Sequence, residues 1–193
     1  MFRNPSPNSS IQYLMGSPGV DRAQQLAQLL ETKLTKAGKT LAELSLLQPT
    51  LVVFLRQPGC TFCRESLDDI ATTRSKIESN GTQIVLVHHG DQSAIDELIT
   101  AHKLEDLDQI HDLDQSLYQA FGLQRGSLRQ VAGPKVWFRA AFAGRLRRFG
   151  LGKVSGDPLQ MPGVFLIHNC GLVKAYRHQS AADRPNYVLL GAG

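Results

Sequence analysis

The stretch Leu51–Leu67, LVVFLRQPGCTFCRESL, decides the fold. Its first five residues form a continuous apolar run with adjacent valines, which is typical of a strand buried on both faces in the middle of a sheet. Beyond the Pro58-Gly59 turn, apolar residues recur with helical spacing at Leu67, Ile70 and Ile77. The sequence therefore predicts a buried strand, a tight turn and a helix, with Cys60 and Cys63 where the helix begins.

The two cysteines of this turn form a Cys-x-x-Cys motif. A helix N-terminus offers unpaired backbone N–H groups and the positive end of the helix dipole, which lower a thiol pKa and favour the reactive thiolate. Because Cys63 continues the apolar stripe, we expect it to face inward and Cys60 to lie at the solvent end. Cys60 is thus the predicted attacking thiolate, and Cys63, one helical turn on, closes an intramolecular disulfide.

Neighbouring side chains support this redox interpretation. Arg56 and Arg64 are near Cys60 in sequence and are predicted to stabilise its thiolate, and Thr61 is a further supporting residue of the motif. The alternative of a structural zinc site lacks support, because the chain has no second Cys-x-x-Cys and no close histidine pair at finger spacing. No metal and no cofactor are expected. The third cysteine, Cys170, is predicted to be a bystander in a hairpin turn.

The rest of the chain alternates strand and helix patterns. Residues 83–88 form a second buried strand, followed by a helix capped by Asp91, and this order implies parallel pairing with a right-handed crossover. Residues 109–160, with a possible strand near Ile110, are interpreted as an insertion, after which a hairpin follows around Asn169-Cys170-Gly171. We expect a flexible arm over residues 1–19 and one domain over residues 20–193.

Composition narrows the class of protein. The 193 residues are 42% hydrophobic and 20% charged, near the average for globular chains. No run reaches the roughly 20 apolar residues of a membrane span and the first residues lack a secretory signal, so a cytoplasmic location without membrane partners is expected. The net charge of +4 comes largely from residues 139–153. This basic segment is the basis of an alternative, a non-catalytic module that binds an acidic partner, although nucleic acid is not the expected ligand.

The strand, the Cys-x-x-Cys turn and the helix together resemble the start of a thioredoxin fold, and this resemblance implies a role for Pro162. In that fold, a proline that opens the strand before the final hairpin sits against the dithiol in the cis form. The preceding residue, here Met161, then has a free backbone that pairs with a bound chain. Met161-Pro162 fits this position and is predicted to bind or support the substrate.

Several segments together resemble one family. They are Phe54-Leu55-Arg56, Gly59 to Arg64, the 114–122 helix, Gly156-Asp157, Pro162 to Phe165, Tyr176-Arg177-His178 and Ala182 to Pro185. The chain is similar to the peroxiredoxin-like proteins of the AhpC/TSA superfamily, in the Cys-x-x-Cys branch related to selenoprotein-L-like proteins. The resemblance implies an α/β, thioredoxin-like fold, with a central mixed β-sheet flanked by helices and a peroxiredoxin-type insertion. It also implies an antioxidant oxidoreductase that reduces peroxide or protein disulfide and is restored by a thiol reductant such as thioredoxin or glutathione.

The resemblance leaves the order of attack open. Typical peroxiredoxins have Thr or Ser three residues before the peroxidatic cysteine, and Cys60 occupies that position here, so the match assigns peroxide to Cys63. The helix-face argument assigns it to Cys60. Both are therefore predicted catalytic residues, with Cys60 as the lead nucleophile. For the arginine that peroxidases use, Arg139 and Arg177 are the candidates.

Overall fold

The computed structural model describes residues 18–134, 136–138 and 155–192. The helices are α1 (Pro18–Thr32), α2 (Leu41–Leu47), α3 (Thr61–Ser79), α4 (Gln92–Ala101), α5 (Ser116–Ala120), α6 (Leu128–Ala132) and α7 (Tyr187–Gly191). The strands are β1 (Thr50–Phe54), β2 (Gln83–His88), β3 (Asp108–His111), β4 (Gly163–His168) and β5 (Gly171–Arg177). The strands and helices predicted around the Cys-x-x-Cys motif are confirmed.

These five strands form one mixed sheet in the order β3-β2-β1-β4-β5. β1 pairs in parallel with β2, and β2 with β3, whereas β4 runs antiparallel to both β1 and β5. The predicted central position of the first strand is confirmed, because β1 has a neighbour on each side and all five of its residues are buried. This is the thioredoxin-like arrangement expected from the sequence.

Helices cover both faces of the sheet. On one face, Val53 belongs to a buried cluster with Ile70 of α3 and Ile95 of α4. On the other, Val52 and Phe54 belong to a cluster with residues of α1, α2 and α5, including Leu30, Leu44 and Leu117. Successive β1 residues thus point into different cores, which explains why the strand reads as an unbroken apolar run.

The segment predicted as an insertion includes part of this core. The strand expected near Ile110 is β3, which pairs with β2, and Tyr118 and Phe121 pack their rings against Phe54 at 4.9 and 5.0 Å. The basic segment 139–153 lies outside the described residues, as do residues 1–17 of the predicted arm; helix α1 begins at Pro18.

The hairpin β4–β5 turns through Asn169 and Cys170, which both have left-handed backbone conformations with φ of 50° and 59°. Asparagine tolerates this conformation, as two-residue hairpin turns require. Cys170 is exposed, and its sulfur lies 3.8 Å from Ser45 Oγ, whereas Cys60 and Cys63 belong to a buried cluster that does not contain it. No helix in the described part of the chain is both long and apolar enough to cross a bilayer.

Candidate active site

The turn between β1 and α3 is held by its own backbone and by Gln57. The N–H of Cys60 donates to the Gln57 carbonyl over 3.1 Å, and the N–H of Gly59 donates to Gln57 Oε1 over 3.1 Å. Cys60 is the N-cap of α3, and its carbonyl accepts from the N–H of Cys63 over 3.0 Å. The two cysteines therefore occupy the start and the first turn of the helix.

Both cysteines are buried. Cys60 is 6% exposed and Cys63 is 5% exposed, and neither forms a disulfide. They share a cluster with Phe62, Val136, Ala181 and Ala182. The prediction that Cys60 lies at the solvent end of the helix is therefore wrong, because residues far along the chain cover the helix N-terminus.

The surroundings of the Cys60 sulfur favour its thiolate form. A hydrogen bond from the Cys63 thiol is the main reason that the pKa of Cys60 is lowered, to about 6. Burial opposes this effect, whereas the positive charge of Arg56 and the first-turn N–H groups of Phe62 and Cys63 add to it. At neutral pH Cys60 is thus largely ionised.

Cys63 is the protonated partner. Its hydrogen bond to Cys60, its burial and the negative charge of Cys60 raise the pKa of Cys63 well above the ordinary value. Its sulfur nevertheless accepts two backbone N–H groups, from Arg56 over 3.3 Å and from Gln57 over 3.4 Å. One proton therefore lies between the two sulfurs: it remains bonded to Cys63 and forms the hydrogen bond to the Cys60 thiolate.

Arg56 is the cation at the dithiol. Its Nη1 donates to Cys60 Sγ over 3.2 Å, while its Nε donates to the Pro158 carbonyl over 3.1 Å and its Nη2 donates to the same carbonyl. Arg64 directly follows Cys63, is half-buried, and is not one of the main causes of the shift in either cysteine pKa. Thr61, 3% exposed, is the first residue of α3.

The expectation of a cis bond before Pro162 is wrong. The described residues contain no cis peptide bond, so Met161–Pro162 is trans. The chain enters β4 in an extended path beside residues 124–126, where Arg125 and Gln160 form an antiparallel bridge, and trans is also the favoured form of an X–Pro bond. Pro162 does lie against the dithiol, because it lines the same cavity as Cys60 and Cys63.

The backbone of Met161 is already paired within the chain. Its N–H donates to the Gln124 carbonyl over 3.3 Å, and its carbonyl accepts from Gln160 Nε2 over 3.1 Å. Gly126 lies so close that a Cβ there would stand 2.6 Å from Met161 Sδ. The predicted pairing of Met161 with a bound chain is therefore not available without displacing residues 124–126.

Of the two arginines suggested for a peroxidase role, the structure describes Arg177, which contacts Phe121 and Phe165. Arg177 Nε donates to the Phe121 carbonyl over 2.9 Å, and its guanidinium lies 5.0 Å from the centre of the Phe165 ring. Arg139 lies outside the described residues. Among the described arginines, Arg56 is the one that contacts a cysteine sulfur.

A small cavity adjoins the two sulfurs. Its volume is about 10 Å³, close to the minimum that holds one water molecule. Besides the cysteines and Arg56, its lining includes Pro162, Ser66, His178 and Tyr187. Neither His178 nor Tyr187 was predicted from the sequence to be a site residue. The hairpin register was the available signal for His178, because pairing of Gly163 with Arg177 places the following residue beside Pro162.

Tyr187 is buried and its pKa is raised, chiefly by burial, so its hydroxyl stays protonated.

Within the described ranges, no group of three or more His, Cys, Asp or Glu side chains is arranged to hold a metal ion. The arrangement of the site therefore offers one thiolate, one thiol, one fixed cation and a cavity of one water's size.

Comparison with known proteins identifies a family. The family model described as AhpC/TSA antioxidant enzyme matches residues 69–181. The match spans more than half of the chain and begins after the Cys-x-x-Cys motif. No curated protein sequence matches.

Solved structures share the fold at low sequence identity. The bacterioferritin comigratory protein of Xanthomonas campestris, whose structure report concerns alkyl peroxide reduction, has 17% identity and a TM-score of 0.52, over 79% of this chain and 83% of its own. Peroxidoxin BcpB from Mycobacterium tuberculosis has 12% identity and a TM-score of 0.54, over 77% and 82%. MTB DsbF, captured in mixed oxidised and reduced forms, has 18% identity and a TM-score of 0.53, over 86% and 92%. These likenesses show the thioredoxin-like fold.

Proposed function

The chain belongs to the AhpC/TSA antioxidant enzyme family, and on that premise we propose that it reduces a small hydroperoxide with Cys60 and Cys63. Family membership establishes a thioredoxin-like oxidoreductase; the roles of the two cysteines and the choice of substrate are the proposal. The observation that carries it is the pairing of the Cys60 sulfur, whose pKa is lowered to about 6, with the protonated thiol of Cys63.

Cys60 is the proposed nucleophile. Its thiolate attacks one oxygen of the hydroperoxide, the O–O bond breaks, and a proton joins the departing oxygen, so that Cys60 becomes a sulfenic acid and an alcohol or water leaves. The thiol of Cys63 then attacks the sulfenic sulfur, its proton leaves with the hydroxyl as water, and the disulfide forms. This order follows the site's own electrostatics rather than the motif alignment that assigns peroxide to Cys63.

The surroundings of the dithiol support a small substrate. The cavity of about 10 Å³ is at the lower limit for one water molecule, so hydrogen peroxide needs a small outward movement of its walls and a larger hydroperoxide needs a greater one. A protein disulfide is disfavoured by the burial of both sulfurs and by the internal pairing of Met161 with Gln124. Peroxide is therefore the favoured one of the two substrates predicted from the sequence.

An external thiol completes the cycle. A dithiol reductant such as thioredoxin, or two molecules of glutathione, would return two electrons to the Cys60–Cys63 disulfide and leave as a disulfide itself. Such reductants are abundant in a reducing compartment such as the cytoplasm. We propose that location for the protein. The alternative binding module needs the basic segment 139–153, which lies outside the described residues, and no described contact favours it.

The test compares oxidants and cysteine variants. Hydrogen peroxide, tert-butyl hydroperoxide and cumene hydroperoxide are each mixed with the reduced protein, and disulfide formation is followed; reduction of insulin disulfides is measured in parallel. We expect the rate of disulfide formation to be highest with hydrogen peroxide, lower with tert-butyl hydroperoxide and lowest with cumene hydroperoxide. Reduction of insulin should stay at background. Cys60→Ser should abolish the reaction, Cys63→Ser should stop it at a sulfenic acid that dimedone traps, and Cys170→Ser is the matched control.

The outcome that would contradict the proposal is equally specific. Insulin reduction faster than peroxide turnover would make the protein a disulfide exchange enzyme. Unchanged peroxide turnover in Cys60→Ser would move the first attack to Cys63.

A further inference from the structure

His178 stands between the buried dithiol and an open cleft. The cleft has a volume of about 220 Å³ and a polar lining that includes Gln124, Arg125, Gln130, Arg177 and Gln179. Of the described residues that line it, His178 is the one that also lines the dithiol cavity. His178 is therefore part of the wall between the narrow dithiol cavity and the wider cleft.

The imidazole is fixed in this wall. His178 is 7% exposed, its backbone N–H donates to the Pro162 carbonyl over 3.4 Å, and its ring packs edge-to-face on Tyr176 at 5.3 Å between centres. Asp183 lies close enough for the charge of His178 to contribute to lowering the pKa of that carboxyl. Asp183 is itself held by the N–H groups of Gln179 and Ser180, at 2.6 and 3.1 Å.

The proposed reaction needs a proton at the dithiol. When a thiolate attacks a hydroperoxide, the departing oxygen leaves as an alkoxide or hydroxide unless a proton reaches it in the transition state. The cavity holds about one water's volume and both sulfurs are buried, so bulk water is a poor donor. The donor must come from the cavity wall.

The other titratable groups of the described wall are unsuited to this task. A guanidinium is a poor proton donor in proteins, which makes arginine unsuited to the task, and Tyr187 is buried with a raised pKa. The proton of Cys63 is hydrogen-bonded to Cys60 and is used when the disulfide closes. Imidazole is the side chain that exchanges a proton near neutral pH, and His178 is the imidazole in this wall.

We propose that His178 is a catalytic proton donor that carries protons from the outer cleft to the dithiol cavity. The inference rests on the proposed function. In the first step, the Cys60 thiolate, a hydroperoxide and protonated His178 yield the Cys60 sulfenic acid, an alcohol or water, and neutral His178. Cys63 then forms the disulfide with release of water. When an external dithiol reduces this disulfide, two protons arrive: one stays on Cys63 and the other returns to His178, while Cys60 regains its thiolate.

Several charged groups bear on the titration of His178. Three of these groups are close to His178 in the chain or on a neighbouring helix: Tyr176 on β5, Asp183 after β5 and Tyr187 on α7. Across the dithiol cavity, His178 faces Arg56, Cys60 and Cys63. Across the outer cleft, it faces Arg125 and Arg177. The carboxylate favours the protonated imidazole and the arginines oppose it. The pH profile is therefore compared with that of a variant rather than with a free imidazole.

The experiment measures two quantities on the full chain of the His178→Gln variant. The thiolate of Cys60 is titrated by its absorbance near 240 nm, and disulfide formation with hydrogen peroxide is timed by stopped flow from pH 5 to 9. We expect the thiolate midpoint to stay in place and the rate to fall about 100-fold. In the wild-type protein, the rate should fall as the pH rises and His178 loses its proton. This fall should be absent from the His178→Gln variant. His168→Gln, on the half-buried end of β4, is the matched control and should behave as wild type.

A second variant separates proton donation from packing. His178→Ala opens the wall towards the outer cleft, and added imidazole should restore a large part of its lost rate. A His178→Gln rate equal to wild type, or a loss of rate matched by a shift of the thiolate midpoint, would overturn the role of His178 and leave the proposed function standing. Failure of the wild-type protein to form the Cys60–Cys63 disulfide with any peroxide would overturn both.

Discussion

The guanidinium of Arg56 donates from Nη1 to the sulfur of Cys60 over 3.2 Å. The Nε and Nη2 groups of the same guanidinium donate to the Pro158 carbonyl. The position of the guanidinium is therefore fixed by a residue 102 positions later in the chain. An arginine keeps its charge at any pH of interest, and its fork lets one side chain bind a carbonyl and a thiolate together. Arg56 therefore adds a cation four residues before Cys60 to the hydrogen bond from Cys63 that chiefly lowers the Cys60 pKa.

Removal of Arg56 should weaken the thiolate. In Arg56→Gln we expect the pKa of Cys60 to rise from about 6, because an opposite charge within about 4–6 Å is worth about 1–3 pKa units. The thiolate fraction at pH 6, and the alkylation rate with it, should fall about fivefold or more. Absorbance near 240 nm against pH is the measurement. Arg64→Gln is the control, and an unchanged midpoint in Arg56→Gln would refute this role.

The proton shared by the two sulfurs gives a reciprocal prediction. Cys63→Ala removes the main hydrogen bond that lowers the pKa of Cys60, so that pKa should rise. Cys60→Ser removes the charge that holds the proton on Cys63, so the pKa of Cys63 should fall, helped by the N–H groups of Arg56 and Gln57. Each single-cysteine protein is titrated by its thiolate absorbance. Midpoints that both equal those of the native pair would mean that the two thiols are uncoupled.

The reactivity of the native protein should depend on pH with a defined sign. The pKa of Cys60 is lowered, so its thiolate is present above about pH 6 and is lost by protonation as the pH falls through that value. The rate at which iodoacetamide alkylates Cys60 should therefore be half-maximal near pH 6 and nearly constant above pH 7. A midpoint near the ordinary cysteine value of about 8.5 would contradict the described electrostatics.

Tyr118 supports the strand ends that carry the motif. Its hydroxyl is fully buried and donates to the Leu55 carbonyl over 2.5 Å, with the Val87 carbonyl at 3.1 Å. Tyr118→Phe leaves these carbonyls without that donor and should lower the free energy of unfolding by about 1–3 kcal/mol. Urea denaturation measures the change. A loss below about 0.5 kcal/mol, the floor for a hydrogen bond, would show that the hydroxyl is dispensable.

The fold around the motif was predictable from local patterns. The apolar run of β1, the helical spacing of α3 and the hairpin turn at Asn169 each depend on residues adjacent in sequence, and all three are confirmed. The same holds for the inward face of Cys63, which follows from its place on the apolar stripe. Such signals identify the dithiol and the helix that presents it.

What the sequence did not predict depends on contacts between distant residues. Cys60 is covered by Val136 and Ala181, and the guanidinium of Arg56 is aimed by Pro158, 102 residues away. The pairing of Met161 with Gln124 likewise joins segments whose proximity no local pattern indicates. These contacts change an expected open, polypeptide-binding dithiol into an enclosed one.

The most direct test of the central claim is to count thiols before and after one equivalent of hydrogen peroxide and to map the bond formed by peptide mass analysis. The account predicts the rapid loss of two thiols to a Cys60–Cys63 disulfide, with Cys170 still free. Both motif thiols remaining free, or a first bond that involves Cys170, would contradict it.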